Sequence, residues 1–153
     1  MGEVPAKFLG IPLITQKLKK KKDCHPLIVR ITSRVETWTA RFLSFAGRLQ
    51  LVKSVLHAIK SYWSMHFLIP KGIINHIQML FSQFLWNGNL NTRSKAKVSW
   101  VDVTFEEGGL GIKDAHKWNK SLILKHLLFV INPNSMSLWA DWVKKTIIIG
   151  APF

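Results

Sequence analysis

Apolar residues recur at three- and four-residue steps along most of this chain. Between Leu27 and Phe42, the residues Ile28, Ile31, Val35, Trp38 and Phe42 fall at helical spacing. Arg30, Arg34 and Arg41 line a second face of the same helix. Asp23 is placed to cap it, with Pro26 tolerated in the first turn. A longer helix is predicted from a Ser44 cap to about Met65. Its apolar stripe is Phe45, Leu49, Val52, Leu56, Ile59 and Trp63, and its polar stripe is Gln50, Lys53, His57, Lys60 and Ser64. Pro70 ends that unit and Gly72 marks a break. Ile73, Ile77, Leu80 and Phe84, flanked by Ile74, Phe81 and Leu85, predict a third helix that is apolar around most of its girth and therefore buried.

Asn87-Gly88 is a turn signal, and a polar loop runs from Asn91 to Lys97. A strand-like piece from Val98 to Phe105, followed by Gly108, Gly109 and Gly111, reads as a small β-hairpin near 97–112. Asp114 caps a fourth helix through about Ile131, carrying Trp118, Leu122, Leu127 and Val130. Pro133 breaks it, and a last short helix holds Leu138, Trp139, Trp142, Val143 and Ile147. At the other end, Phe8, Leu9, Ile11, Leu13 and Ile14 cluster around Gly10 and Pro12, which forbid a regular helix over the first sixteen residues. The fold class is thus mainly α. It is a bundle-like set of four to five helices with a short N-terminal extended segment and the hairpin. Three stretches follow: 1–16 extended, 17–70 a basic helical pair, and 71–153 a helical region with the hairpin.

Composition changes this picture chiefly through charge. Twenty-two Lys and Arg against eight Asp and Glu leave +14 at neutral pH. A compact domain this basic repels itself, and a polyanion relieves the repulsion. Nucleic acid is the first partner to consider, and anionic membrane the second. The charge is uneven. Residues 17–60 hold eleven Lys or Arg against Asp23 and Glu36, a net of +9. The expected phosphate-contacting set is Lys19, Lys20, Lys21, Lys22, Arg30, Arg34, Arg41, Arg48, Lys53 and Lys60. Seven Trp and nine Phe within 48% apolar residues argue for a packed core. Most of the aromatic residues sit on the apolar stripes, and Trp86 and Trp100, beside polar loops, are the candidates for stacking on bases. The single cysteine, Cys24, excludes an internal disulfide and points to a reducing compartment. With no signal-peptide core and no apolar run of membrane-spanning length, an intracellular location, nuclear or cytoplasmic, is expected rather than secretion, with no membrane partner.

Catalytic constellations are sparse. Glu106-Glu107 is the only close carboxylate pair, and it lies in a glycine turn. Gly108-Gly109-Leu110-Gly111 lacks the spacing and the lysine of a phosphate loop, although the helix N-terminus after it remains a candidate for holding a phosphate. Six His are scattered without metal-ligand spacing, so no metal or cofactor is expected.

Several segments taken together resemble one family. They are Phe8-Leu9-Gly10-Ile11-Pro12-Leu13; Trp38 with Arg41; Leu43-Ser44-Phe45-Ala46-Gly47-Arg48-Leu49-Gln50-Leu51-Val52-Lys53-Ser54-Val55-Leu56; Phe84-Leu85-Trp86; Lys97-Val98-Ser99-Trp100; Glu107-Gly108-Gly109-Leu110-Gly111-Ile112; and Trp118-Asn119. In order and spacing the chain, from about Lys7 to Trp142, is similar to the region after the catalytic palm in reverse transcriptases of plant LINE-type (non-LTR) retrotransposons. The resemblance implies an RNA-directed DNA polymerase lineage. Residues 1–16 would be the palm edge, 17–70 thumb-like and 71–153 a connecting region, with the thumb holding a template–primer duplex by its backbone. The paired aspartates of that family's Tyr/Phe-Ala-Asp-Asp segment have no counterpart here, nor does its downstream zinc-binding module. Without those carboxylates there are no ligands for the two metal ions of polymerisation, so no polymerase activity is expected of this chain alone.

Two functional classes follow. The first is a non-catalytic fragment that binds duplex or RNA–DNA hybrid without sequence preference. The alternative is a vestigial or interaction-only protein, associating with itself or with a palm-containing polypeptide through apolar surface.

Overall fold

The computed structural model describes residues 7, 8, 11, 12, 23–39, 42–92, 96–104, 108–132 and 137–145. Within these, β1 (Lys7–Phe8) pairs antiparallel with β2 (Ile11–Pro12), Phe8 opposite Ile11. Helix follows: α1 (His25–Thr39), α2 (Phe45–Leu51), a π-helical turn (Val52–Leu56) and α3 (His57–His66). The last three join end to end as one rod. Then come α4 (Lys71–Asn87), α5 (Trp100–Val103), α6 (Ala115–Ile131) and α7 (Leu138–Val143). The protein is mainly helical.

Local chemistry sets most of the boundaries. The first helical bond of α1 runs from Ile28 N–H to the Cys24 carbonyl, one residue beyond the expected Asp23 cap. The Ser44 hydroxyl accepts from Gly47 N–H at 3.2 Å and starts the rod. Pro70 occupies the N-cap of α4, where its missing N–H costs nothing. Gly88 closes α4 in the left-handed region at φ 76°, its N–H bonded to the Phe84 carbonyl at 2.9 Å.

The core is a single cluster. Leu27, Ile31 and Val35 of α1 meet Val52, Leu56 and Trp63 of the rod, Ile73, Ile77, Leu80 and Phe84 of α4, and Ala115 of α6. Each fully buried aliphatic or aromatic side chain among them contributes about 1.5–3 kcal/mol. The cluster crosses residue 70, so the stretches on either side share one interior. As expected, α4 is largely built into the core, but along one face, with Asn75 and Met79 on the other side exposed.

Two local expectations are overturned. Where a strand-like piece is expected from Val98, the described residues form a single helical turn, α5, and no hairpin lies among the described residues of 97–112. An isolated strand would leave its backbone unpaired. The turn closes its bonds internally instead, Val103 N–H to Ser99 O and Thr104 N–H to Trp100 O, both 3.2 Å, with the Ser99 hydroxyl capping Val101 N–H. The second is the polar stripe of the rod. Gln50 and Lys53 are exposed, but Lys60 and Ser64 are buried at 1% and 0%. The apolar stripe stays buried as well, with Val52, Leu56 and Trp63 at 0–2%, so this half of the rod is covered on two faces and the polar stripe there does not face solvent. It faces α6 instead.

Candidate nucleic-acid interface

On α1, Arg30 and Arg34 stand one turn apart, both exposed. Arg30 borders a cleft of about 350 Å³ against Ile59, Tyr62 and Trp63 of α3. These two guanidinium groups share one helix face, and each carries donors in a fork that suits bidentate contact with an anion. Lys19, Lys20, Lys21, Lys22 and Arg41 lie outside the described residues.

The remaining predicted cations serve other ends. Arg48 is half-buried, and its guanidinium reaches the C-terminus of α4, with Nη1 3.1 Å from where a Cβ on Gly88 would stand. A cation there offsets the partial negative charge of the last carbonyls. Its Nε is buried without an acceptor. Lys53 is exposed, but its Nζ lies 3.2 Å from the Cβ position of Gly111, at φ 68° in the loop leading to α6.

Lys60 is a correction: it does not face solvent at all. It lies beneath the start of α6, its Nζ 3.5 Å from His57 Nε2. His57 Nδ1 contacts the Ser61 hydroxyl at 3.2 Å, and that hydroxyl accepts from Trp118 Nε1–H at 2.8 Å. Lys113 Nζ lies 3.6 Å over the Trp118 ring, a cation–π contact that closes the cluster. Burial lowers the Lys60 ammonium to about 8; Asp114 opposes the shift and Lys113 adds to it. Burial, then the charges of Lys60 and Lys113, lower His57 to about 4, so its ring is neutral at physiological pH. Arg30 and the Lys53–Lys60 row therefore lie against different partners, α3 side chains in one case and the α6 entry loop in the other, rather than on one continuous face.

The expectation of a phosphate at the N-terminus of α6 is also overturned. The Asp114 carboxylate already accepts from His116 and Lys117 N–H, both at 2.8 Å. Trp86 and Trp100 are half-buried against the core, their indole N–H groups buried without an acceptor, and the Phe45 ring packs on Trp86 with centroids 5.4 Å apart. Trp100 lines a surface cleft of about 420 Å³ beside Lys97 and Ser99. The Cys24 thiol, buried in the core and next to Asp23, is pushed up to about 11 and stays protonated. Among the described residues no three His, Cys, Asp or Glu side chains gather to hold a metal ion, and no helix is long and apolar enough to cross a membrane. Glu106-Glu107 lies outside the described residues.

Sequence reasoning missed a second basic region. A groove of about 850 Å³ runs between the α3–α4 connector and the first half of α6. Phe67, Leu68, Ile69, Pro70 and Ile74 supply its apolar wall, Lys71 and Lys120 its cations, and His66 and His116 line it with imidazole rings. Asn119, 1% exposed, fixes its shape. Its Oδ1 accepts from Ile69 N–H at 2.9 Å, and its Nδ2 donates to the carbonyls of Phe67 at 2.9 Å and Ser64 at 3.1 Å. His116 Nε2 meets Asn75 Oδ1 at 2.8 Å across the groove. Residues fifty positions apart build this site, so no local charge run announces it.

No family model matches the chain, and no solved structure matches it. The chain is similar to a protein of Arabidopsis thaliana named "Putative ribonuclease H protein", 32% identical over 139 residues that make up 90% of this chain and 22% of that protein. It thus has a plant relative across nearly its whole length and spans about a fifth of that relative.

Proposed function

We propose that this chain is a non-catalytic nucleic-acid-binding region from a plant retrotransposon polyprotein, the part following the palm of a LINE-type reverse transcriptase, and that it holds a template–primer duplex by its phosphates. The observation that carries the reading is the exposed Arg30–Arg34 pair on a chain of net charge +14. The plant relative supports it, since its name places it in ribonucleic-acid chemistry. Because the contacts are electrostatic, binding is sequence-independent and falls steeply with salt. The chain performs no polymerisation unaided, since it carries no paired metal-binding aspartates of the polymerase kind. The test is charge reversal: Arg30→Glu with Arg34→Glu weakens binding to a short RNA–DNA hybrid at least tenfold, with an unchanged melt. Unchanged affinity overturns the assignment.

One observation favours a second reading, an interaction module. Leu124, Leu127, Leu128, Phe129 and Ile131 of α6 and Leu138, Trp139 and Trp142 of α7 are all exposed, with Leu138 at 87%. Exposed apolar residues in this number suit protein–protein contact. Light scattering across a concentration series tests it: a monomer throughout removes self-association.

A further inference from the structure

The groove between the α3–α4 connector and α6 has no part in the duplex contacts assigned to α1. Its floor is apolar and closed, with Ile69 and Ile74 each 3% exposed and Phe67 half-buried beside them. Leu68, 64% exposed, stands at its rim. Lys71 sits in the first turn of α4 and Lys120 one turn and a half into α6, both exposed, with His66 and His116 completing the set. Among the described residues no acidic side chain lines the groove. It therefore joins an apolar surface to two lysines with no carboxylate beside them among the described lining residues.

A duplex cannot use such a site, because pairing and stacking already hide the faces of its bases and leave mainly phosphates outward. An unpaired strand presents both: π-faces for an apolar wall and phosphates for the cations. We propose that this groove receives an unpaired stretch of nucleic acid, its bases laid on Phe67, Leu68 and Pro70 and the adjoining phosphates held by Lys71 and Lys120. This rests on the nucleic-acid reading above. It adds a second subsite, so that the chain engages a junction where duplex gives way to single strand. An acidic peptide would meet the same cations, but the exposed His66 ring beside Phe67 and Pro70 offers the flat surface that base stacking uses.

The test measures fluorescence anisotropy for a blunt RNA–DNA hybrid and for the same hybrid with a single-stranded extension of a few nucleotides, using the full chain. The extension is expected to tighten binding about tenfold, the value of one well-stacked base. Lys71→Ala with Lys120→Ala removes that gain while holding the blunt affinity within about twofold. Leu68→Ala reduces the gain without altering charge. Equal affinity for the two hybrids overturns the groove assignment and leaves duplex binding standing. No binding of either hybrid overturns both. Displacement of the extension by an octaglutamate peptide at equal concentration identifies an acidic polypeptide as occupant and overturns the proposal as well.

Discussion

Replacing Asn119 by alanine removes one side chain that ties α6 to the connector between α3 and α4. The amide is buried and makes all three of its bonds to main-chain groups, at 2.9, 2.9 and 3.1 Å. Without it the Ile69 N–H loses its acceptor in a buried setting, a penalty of about 1–3 kcal/mol. The two carbonyls of Ser64 and Phe67 lose donors at about 0.5–1.5 kcal/mol each. Little apolar contact is lost, so the expected destabilisation is about 3 kcal/mol. For a chain of this size that corresponds to a fall of roughly 6–12 °C in Tm. Urea denaturation followed by tryptophan fluorescence reads it as a lower midpoint at unchanged slope. Asn119→Asp sharpens the point: a carboxylate keeps the Ile69 N–H but turns acceptor against two carbonyls. Its deficit should shrink as pH falls and the acid regains one donor. A loss below about 1 kcal/mol for the alanine variant refutes the clamp, and with it the shape assigned to the groove.

Three further outcomes follow from the same geometry. Gly88→Ala meets both a left-handed backbone and the Arg48 guanidinium 3.1 Å away, so it costs about 1–2 kcal/mol in a thermal melt. His57 takes its proton at about 4 in the folded chain instead of 6.5, so between these values the unfolded chain binds the proton that the folded one refuses; stability falls as pH drops through that window, and His57→Gln flattens the decline. Lys60, lowered from 10.5 to about 8, gives the same sign higher up: stability rises from pH 8 towards 10.5, and Lys60→Met abolishes the rise without lowering Tm at neutral pH.

The helices were legible because their signals are local. Ser44 and Asp114 stand at the starts the sequence predicts, and the apolar residues of α4 announce its burial; Pro70, read as the end of the preceding unit, also caps α4, and Gly72, read as a break, lies in its first turn. Lys60 was not legible, since what covers it is α6, a helix that begins only at Ala115 and packs on a second face of α3. Val98 to Phe105 carries β-branched residues that suit a strand, but with no neighbouring strand to receive its backbone the local cap at Ser99 prevails. Of the basic residues, the Arg30–Arg34 pair was visible as a one-turn spacing. The groove was not, because His66 and Lys71 meet His116 and Lys120 only after α3, α4 and α6 pack. Sequence spacing reports a face of one helix; it cannot report a site shared by three.

The central claim is that the positive charge of this chain grips nucleic-acid phosphates, and the salt dependence of binding to an RNA–DNA hybrid tests it most directly. Log K is expected to fall linearly with log salt, at a slope equivalent to several phosphate contacts, and Arg30→Glu with Arg34→Glu to make the slope shallower by about two. Binding that is flat across salt, or a slope indifferent to those two arginines, contradicts it.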